Sequence, residues 1–308
     1  MKKSLLWLEL PLIKGLIAVL VFLGVSILLS CSDDKGLTEG DPNYFTSSRG
    51  QFTATLSDGT TLYLIPGSID GTATVTFDGD KPLHWQSESN TTVSVTTYQG
   101  DLVIPETVIG SDGNNYIITA IGDEAFMGCR SLTSVQLPNT IQTLGEGAFA
   151  VCQGMISVNI PEGVTELPVG CFGNCRALTS VTLPSTLKEI GKMAFYGCVL
   201  LETTSFTLPE GLEYIGEQAF SECTGGKFTE ITIPSTVTRI GDKAFGGRNS
   251  GYRPRIATYH MKSSTPPVLD GVLYEVRDNV NPVIKVPTGA KDAYQSAPGW
   301  STLTIEEE

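Results

Sequence analysis

The sequence predicts a fold of the α/β class that is mostly β: a solenoid of stacked repeats with parallel short strands, an N-terminal β cap and a short C-terminal capping helix. One motif, Ile-Gly-x-x-Ala-Phe, returns six times with small changes, and its phenylalanines are Phe126, Phe149, Phe172, Phe195, Phe220 and Phe245. A second segment of each repeat has two apolar residues separated by a polar one and ends in proline, as in Val181-Thr182-Leu183-Pro184. This alternation is typical of a short strand with one buried face.

Residues 1 to 30 are predicted to be a signal peptide rather than part of the fold. A basic start precedes an uncharged, mainly apolar run from Gly15 to Ser30. A spanning helix needs about 20 apolar residues, so this shorter run favours a signal peptide over the alternative, an uncleaved anchor helix. The tetrad Leu28-Leu29-Ser30-Cys31 resembles a bacterial lipobox, which implies a lipoprotein with Cys31 as its lipidation site. The following Ser32-Asp33-Asp34-Lys35 is similar to the export tags of Bacteroidetes surface lipoproteins, which implies outer membrane sorting.

Two further segments precede the repeats. Residues 31 to 50 are rich in Gly, Pro, Ser and Asp, which predicts a flexible tether. Residues 51 to 101 alternate apolar residues with Ser and Thr, and their turn signals are Ser57-Asp58-Gly59, Asp70-Gly71 and Asp78-Gly79-Asp80. This pattern predicts short antiparallel strands that form the N-terminal β cap. The repeats span residues 102 to 250, beginning with the strand signature Leu102-Val103-Ile104-Pro105.

The repeats are expected to stack. A unit of 23 to 25 residues has too little apolar surface to bury on its own, so it packs on its copies, with strands paired in parallel about 4.8 Å apart. The proline after each strand lacks an N–H and ends the ladder locally. The motif glycines are predicted to allow a tight turn: Gly122, Gly145, Gly191, Gly216 and Gly241. Pro168 replaces this glycine in the third repeat, which predicts a φ of about −65° there.

Residues 251 to 308 are predicted to hold degenerate repeats and a C-terminal cap. Ile256-Ala257-Thr258 begins 25 residues after Ile231 and predicts the next strand, and Val283 to Pro287 restores the strand ending in proline. Thr288 to Ala297 has apolar residues at helical spacing, which predicts a short helix that closes the stack. Terminal repeats must differ from internal ones, because a bare end would expose core and unpaired backbone.

From Leu102 to Trp300 the pattern closely resembles the BspA-type leucine-rich repeats of bacterial surface proteins. The shared unit is approximately Leu-x-x-Ile-x-Leu-Pro-x-x-Leu-x-x-Ile-Gly-x-x-Ala-Phe-x-x-Cys. The resemblance implies a leucine-rich-repeat solenoid and a surface location, and it suggests adhesion or protein binding. It names no ligand.

Composition excludes several function classes. A formal net charge of −13 opposes binding to phosphate backbones, so no nucleic acid partner is expected. The two histidines of the chain, His84 and His260, leave little material for histidine-based metal sites or for Ser-His and Cys-His nucleophiles. No catalytic residue, cofactor or metal site is predicted, and the protein is expected not to be an enzyme.

Two regular columns have both a structural and a chemical interpretation. A cysteine follows the phenylalanine by three residues in five motifs, at Cys129, Cys152, Cys175, Cys198 and Cys223. The shared periodicity favours buried thiols, although an oxidising compartment would also permit disulfides. Cys171 and Cys175 alone are a weak zinc signal. The phenylalanine column favours a core spine over an aromatic ligand platform.

The strand residues that point outward are the possible ligand face. They form two predicted columns, one of Ser134, Ser157, Ser180, Ser205 and Glu230, the other of Gln136, Asn159, Thr182, Thr207 and Thr232. Solenoids use such faces as extended binding surfaces, although Ser, Thr and Asn also suit strands that are merely solvated. The columns lack Tyr, Trp and Arg, so binding here would rest on many weak polar contacts.

These observations favour a lipid-anchored cell-surface protein for recognition or adhesion, without catalysis. Its ligand would be a host or microbial macromolecule, a protein in preference to a glycan, and it would contact the membrane through the lipid anchor only. The alternative is a glycan-binding accessory lipoprotein of a surface uptake system. That function predicts exposed aromatic pairs, for which Trp85 and Tyr98 are the candidates. A hydrolase would need two paired carboxylates, and no spacing singles out two.

Overall fold

The computed structural model describes residues 51–77, 98–202, 206–223, 229–246, 256–274 and 282–308. The chain divides into two units, residues 1–44 and 45–308, and every described residue belongs to the second. Within these ranges the fold is almost entirely β, and no helix is long and apolar enough to cross a membrane. The predicted signal peptide, Cys31 and the tether lie outside the described residues.

The described residues form nineteen strands and one helix. In chain order the strands are β1 Phe52–Thr55, β2 Thr61–Pro66, β3 Thr72–Thr76, β4 Gly100–Val103, β5 Thr107–Ile109, β6 Asn115–Ile121, β7 Leu132–Gln136, β8 Thr143–Leu144, β9 Ser157–Asn159, β10 Glu166–Leu167, β11 Ser180–Thr182, β12 Glu189–Ile190, β13 Tyr214–Ile215, β14 Glu230–Ile233, β15 Arg239–Ile240, β16 Thr258–Met261, β17 Val268–Leu269, β18 Val283–Val286 and β19 Thr304–Glu307. The helix α1 is Lys291–Ser296.

The N-terminal strands form a sheet in the order β1-β2-β3-β6-β5, with β8 also paired to β6. The first three strands are antiparallel neighbours, as their alternation predicts. In the first turn the Asp58 carboxylate accepts the Thr60 N–H at 2.8 Å, and Gly59 has a φ of +87°. Because β3 pairs in parallel with β6, this sheet leads directly into the stacked coils.

Each coil contributes strands to two parallel ladders. The strands that precede proline form a first ladder of β4, β7, β9 and β11, and after an interruption β14, β16, β18 and β19 continue the same pattern. The two-residue strands β10, β12, β13, β15 and β17 form a second ladder. Equivalent residues of neighbouring coils lie side by side in register, for example Val135, Val158 and Val181. The predicted parallel stacking is confirmed, and the architecture is a β-solenoid.

The six motif phenylalanines stack in one buried column. Rings of neighbouring coils lie 5.2 to 5.5 Å apart between centroids, with interplanar angles of 11° or less. All six side chains are buried, so they form the core spine that their periodicity predicts. Tyr98 packs edge-on against Phe126 at 4.9 Å, and Tyr259 packs edge-on against Phe245 at 5.4 Å. Tyrosines therefore extend the aromatic core beyond both ends of the column.

Two residues in most coils adopt the left-handed backbone conformation, and many of them are not glycine. The first directly precedes the Ala-Phe pair and includes Met193 at a φ of 55°, and the second follows the phenylalanine by two residues and includes Val151 at 63°. In this conformation their N–H groups donate to the next coil, from Met193 to the Glu217 carbonyl at 2.9 Å and from Val151 to the Gly173 carbonyl at 2.7 Å. The left-handed conformation costs about 1–3 kcal/mol for each residue that is not glycine. These hydrogen bonds between coils offset that cost.

The motif glycines have a different role from the predicted one. Gly145, Gly191, Gly216 and Gly241 are not at positive φ, so a tight turn does not require them. A Cβ at Gly216 would lie 2.5 Å from the carbonyl carbon of Gly191, and a Cβ at Gly241 would lie 2.3 Å from the nitrogen of Glu217. At Gly216 and Gly241 the glycine is therefore needed because the backbones of neighbouring coils approach too closely for a Cβ.

We expect Gly216→Ala to lower the free energy of unfolding by about 1–3 kcal/mol, since the new methyl group meets backbone that cannot rotate away. Gly71→Ala is the control: Gly71 has a φ of +75° but open space around its Cβ position, and its cost should be about 1 kcal/mol. Urea titration of both variants measures the two costs. A larger loss at Gly71 than at Gly216 would show that backbone torsion, not close packing, selects glycine in the motif.

Pro168 interrupts the second ladder. At the equivalent position Gly191, Gly216 and Gly241 each donate their N–H to the preceding coil at 2.7 Å. Proline has no N–H, so the corresponding bond from Pro168 is missing. Consequently β8 pairs with β6 in the N-terminal sheet, while β10 begins the next sheet. The predicted exception in the third repeat is thus a boundary between two ladders.

The C-terminal region differs from the sequence prediction in three ways. The strand after β14 is Thr258–Met261, with Tyr259 opposite Ile231, so the prediction based on Ile256 was wrong by three residues. The helix begins at Lys291 rather than Thr288, because Gly289 at a φ of +83° forms a turn after Pro287. A further strand, β19, pairs in parallel with β18. The last repeat therefore supplies both a helix and a strand to the end of the stack.

Two aromatic side chains hold the C-terminal cap in place. Tyr294 of α1 and Trp300 are fully buried and pack edge-on at 5.1 Å. The Tyr294 hydroxyl donates to the Ser263 carbonyl at 2.9 Å, and the Trp300 Nε1–H donates to the Pro267 carbonyl at 2.8 Å. The polar ends of both rings are thus paired, so their burial leaves no donor unsatisfied.

Tyr259 is buried, and among the described residues its hydroxyl has no such partner. We expect Tyr259→Phe to raise the free energy of unfolding by about 1 kcal/mol, because it removes a desolvated hydroxyl and keeps the ring. Tyr294→Phe should have the opposite sign, because the Tyr294 hydroxyl donates to Ser263. Urea midpoints of the two variants test the contrast. Equal losses in both would mean that the Tyr259 hydroxyl is satisfied in solution.

Candidate functional site

The candidate ligand face is the outward surface of the first ladder. Register places Ser134, Ser157 and Ser180 side by side in one column and Gln136, Asn159 and Thr182 in the other. The second column is exposed throughout, whereas Ser134 and Ser180 are half-buried. Because consecutive parallel strands fix the spacing, the face is a regular array of hydroxyl and amide groups.

The face begins one strand earlier than the sequence suggested. On β4, Asp101 and Val103 lie in register with Ser134 and Gln136 and extend both columns. The Asp101 carboxylate accepts hydrogen bonds from the Ser134 and Thr133 hydroxyls, each at 2.7 Å. These two hydrogen bonds lower the pKa of Asp101 below its usual value. The first ladder therefore presents one fixed carboxylate and one exposed apolar side chain at its N-terminal end.

The face is interrupted at Phe206-Thr207-Leu208, where the predicted strand is absent. This coil carries Phe206 where its neighbours have Val181 and Ile231, and two extra residues separate Cys198 from it. The Phe206 ring packs edge-on against Phe195 and Phe220 at 5.5 and 5.4 Å. The two extra residues do not explain the missing strand, because the same spacing separates Cys223 from Ile231 and β14 is a strand. The larger Phe206 ring is what distinguishes this coil. Ser205, a predicted face residue, lies outside the described residues.

A groove of about 300 Å³ lies beside this interruption. Its floor contains Phe206, Leu208 and Ile231, which are nearly buried. Its polar walls are formed by Thr207, Glu230, Thr232, His260, Lys262 and Glu308. The structure thus brings the predicted face residues Thr207, Glu230 and Thr232 together with three residues from the C-terminal repeats.

Ion pairs on one side of the groove centre on Glu308. Its carboxylate lies 2.8 Å from His260 Nδ1 and accepts a hydrogen bond from Lys262 Nζ at 3.3 Å. The hydrogen bond with His260, followed by that with Lys262, lowers the pKa of Glu308 despite partial desolvation. The other imidazole nitrogen, His260 Nε2, lies 3.7 Å from Glu230. His260 therefore lies between two carboxylates, one tightly and one loosely associated.

The charged residues of this region continue along the same strands. Lys285 lies in register with His260, and its ammonium group contacts Glu306 at 2.6 Å. This contact lowers the pKa of Glu306. The outward face is therefore neutral and polar on β7, β9 and β11 and rich in paired charges on β16, β18 and β19.

Sequence reasoning missed His260, Lys262, Lys285 and Glu308. His260 appeared to lie outside the regular repeats, because the strand was placed at Ile256 instead of Thr258–Met261. The alternation of outward Thr258 and His260 with inward Tyr259 and Met261 was a usable signal. The position of Glu308 could not be found this way, because no repeat motif marks β19.

The motif cysteines are buried free thiols, which confirms the interpretation from periodicity. Cys152, Cys175, Cys198 and Cys223 each direct Sγ to the carbonyl of a phenylalanine, at 3.0 to 3.2 Å. Cys171 is also buried and free. Over the described ranges there is no group of three or more His, Cys, Asp and Glu side chains able to hold a metal ion.

The glutamates of the second ladder are arranged differently from a catalytic pair. Glu166 and Glu189 lie in register on β10 and β12. Partial burial, with the nearby Glu166 charge, raises the pKa of Glu189. Glu166 is exposed and Glu189 is half-buried, which suits solvated strand residues.

The repeats of this chain match those of known proteins. Residues 119–251 match the family model described as BspA type leucine rich repeat region, in 6 copies. No curated protein matches the chain in sequence. A leucine rich repeat protein from T. pallidum is 21% identical, with a TM-score of 0.51 over 77% of this chain and 92% of that one.

Two other solved structures are more distant in shape. A leucine-rich repeat protein from Bacteroides ovatus is 20% identical, with a TM-score of 0.45, and the match covers 80% of this chain and 66% of that chain. The present chain therefore spans about two thirds of that protein. A leucine rich cell surface protein from Faecalibacterium prausnitzii is 19% identical, with a TM-score of 0.35 over 85% and 96% of the two chains.

The fold and the repeat match agree. Stacked coils with parallel ladders and one phenylalanine per coil are shown by the structure, and the T. pallidum protein shares the architecture. The family match falls on the segment that contains the phenylalanine column. The chain is thus a leucine-rich-repeat solenoid, and its residues 119–251 match the BspA type leucine rich repeat model.

Proposed function

We propose that this is a non-catalytic recognition or adhesion protein of the cell surface, which binds a host or microbial macromolecule through the first-ladder face. The observation that carries the proposal is the register of Ser134, Ser157 and Ser180 beside Gln136, Asn159 and Thr182. A rigid array of exposed polar groups can make many simultaneous contacts with one extended partner. The family match to a repeat of bacterial surface proteins supports the same function.

A protein partner is favoured over a glycan. Sugar binding by stacking requires exposed aromatic rings, and Tyr98, one of the two sequence candidates, is 2% exposed and packed against Phe126. The other candidate, Trp85, lies outside the described residues. The polar and charged groups of the face instead suit the backbone and side chains of a polypeptide.

The function is tested by binding of purified chain from residue 32 onward to immobilised extracellular-matrix proteins and to glycan arrays. The face variant Gln136→Lys/Asn159→Lys should abolish binding to a protein that the unaltered chain captures. The matched control, Gln142→Lys/Thr165→Lys, adds the same charge to exposed residues beside the second ladder and should bind normally. Absence of binding to every protein and glycan, or equal loss in both variants, would contradict the proposal.

The membrane attachment proposed here is a lipid on Cys31 in the outer membrane. It rests on the tetrad ending in Cys31 and on the apolar run before it. Intact mass of the protein extracted from the membrane fraction should correspond to residues 31–308 plus acyl chains. Cys31→Ala should abolish the added mass and the membrane association. An unmodified chain that retains residues 1–30 would contradict lipid anchoring.

A further inference from the structure

The groove beside Thr207 has one carboxylate whose charge is poorly compensated. Glu308 is engaged by both His260 and Lys262. Glu230 approaches His260 Nε2 at 3.7 Å, and this is its one ion-pair contact with a basic side chain among the described residues. The Glu230 side chain is 66% exposed, so its carboxylate is open to a partner. Lys262 does not neutralise Glu230, because its ammonium group contacts Glu308 at 3.3 Å.

The surroundings of Glu230 suit a long cationic side chain. Phe206, Leu208 and Ile231 form an apolar floor along which the methylene stem of Lys or Arg can lie. The Thr207 and Thr232 hydroxyls line the same groove and can accept hydrogen bonds from an ammonium or guanidinium group. A volume of about 300 Å³ fits one such side chain with its adjoining backbone, not a folded domain.

Charge over the whole chain favours the same occupant. The formal net charge is −13, which attracts basic segments over distances longer than the groove itself. An acidic segment would be repelled both by this net charge and by the exposed Glu230 carboxylate. A neutral segment would leave Glu230 without a new partner.

We propose that the groove takes a Lys or Arg side chain from an extended basic segment of the partner protein, with Glu230 as its counter-ion. The rest of that segment would run along the first-ladder face, whose polar columns on β4, β7, β9 and β11 end beside the groove. This proposal rests on the proposed function, because it identifies where on the face a protein partner places its basic residue.

Peptides test the proposal directly. The probes are Ac-Ala-Thr-Lys-Thr-Ala-NH₂ and versions in which Arg, norleucine or Glu replaces Lys. Their binding is measured by NMR of the isotope-labelled chain. The Lys and Arg peptides should shift the amide signals of Thr207, Glu230 and Thr232, whereas the norleucine and Glu peptides should not. Binding should weaken as salt rises, because exposed charges are screened. Equal shifts with norleucine would overturn the role of the cation.

Two variants locate the counter-ion. Glu230→Gln should weaken binding of the Lys peptide about tenfold, which is the effect of one lost ion pair. Glu213→Gln removes the same charge from a residue of similar exposure, 60% against 66%, outside the groove, and should leave affinity unchanged. Equal weakening in both would show that net charge alone attracts the peptide. Both variants change exposed residues, and their circular dichroism should match that of the unaltered chain.

Failure of this proposal is distinguishable from failure of the proposed function. If a matrix protein binds and Gln136→Lys/Asn159→Lys abolishes its binding, but Glu230→Gln does not weaken it, the face binds and the groove proposal is wrong. If no protein binds the unaltered chain while the Lys peptide still occupies the groove, the proposed function fails and the cation site stands. Absence of any shift with the Lys and Arg peptides rejects the groove as a cation site in either case.

Discussion

The free energy of unfolding is expected to fall steeply as pH rises from 8 to 10, because six thiols are buried in protonated form. Burial raises the pKa of Cys129 to about 11 and of Cys175 and Cys223 to about 12. Burial also raises the pKa values of Cys152, Cys171 and Cys198 well above normal.

The sign follows from where the protons are released. Unfolded thiols ionise near their ordinary pKa of about 9, while the folded ones stay neutral, so the unfolded state binds fewer protons as pH rises. The stabilising contribution is complete below the unfolded pKa and is lost above it. Each thiol should account for about 1.4 kcal/mol at pH 10, and six for about 8 kcal/mol, which is comparable with the whole stability of a typical domain.

Urea unfolding followed by circular dichroism in reductant at pH 7, 8, 9 and 10 measures this effect. Cys175→Ala is the informative variant. It removes the hydrogen bond from Sγ to the Phe149 carbonyl at every pH. It should also make the fall in the free energy of unfolding between pH 7 and pH 10 smaller by about 1.4 kcal/mol. A stability that stays flat to pH 10, or a variant with an unchanged pH dependence, would show that the thiols are accessible or ionised in the folded chain.

Phe172→Ala is expected to lower the free energy of unfolding by about 3–5 kcal/mol. The Phe172 side chain is fully buried, and its ring lies between Phe149 at 5.3 Å and Phe195 at 5.5 Å. Truncation leaves a cavity at an internal coil, where the backbone is held by hydrogen bonds to both neighbours and cannot collapse. Thermal and urea denaturation measure the loss.

Two controls make the result specific. Phe172→Leu keeps most of the volume and should cost less than about 1.5 kcal/mol. Phe52→Ala removes a ring at the partly exposed edge of the N-terminal sheet, where Tyr116 is its aromatic partner, and should cost less than Phe172→Ala. Similar losses for Phe52→Ala and Phe172→Ala would indicate that the column has no special role in stability.

The regular part of the fold follows from sequence because its cause is local and repeated. Phenylalanine and the strand before proline return at fixed spacing, and one repeat can bury its apolar side only against another. The left-handed residues were missed, because Met193 and Val151 occupy a conformation that their side-chain types disfavour. Gly147, Gly170, Gly128 and Gly197 at equivalent positions were the available signal.

The candidate site was predictable only where the repeat is regular. Ser134, Gln136 and their neighbours were identified because outward positions alternate with buried ones. The groove was not, because it arises from departures: Phe206 in place of an aliphatic residue, and a strand displaced to Thr258. Its charged wall also depends on Glu308, which lies 48 residues from its partner His260. Contacts of that kind depend on tertiary packing and carry no periodic signal.

The most direct test of stacking is a pair of double-mutant cycles with Phe→Leu substitutions. Phe149 and Phe172 are ring neighbours, whereas three rings separate Phe149 from Phe245 in the column. Stacked coils predict a coupling energy of about 0.5–1.5 kcal/mol for the neighbours and additivity within about 0.5 kcal/mol for the distant pair. Additivity in both cycles would contradict a column in which each coil buries its ring against the next.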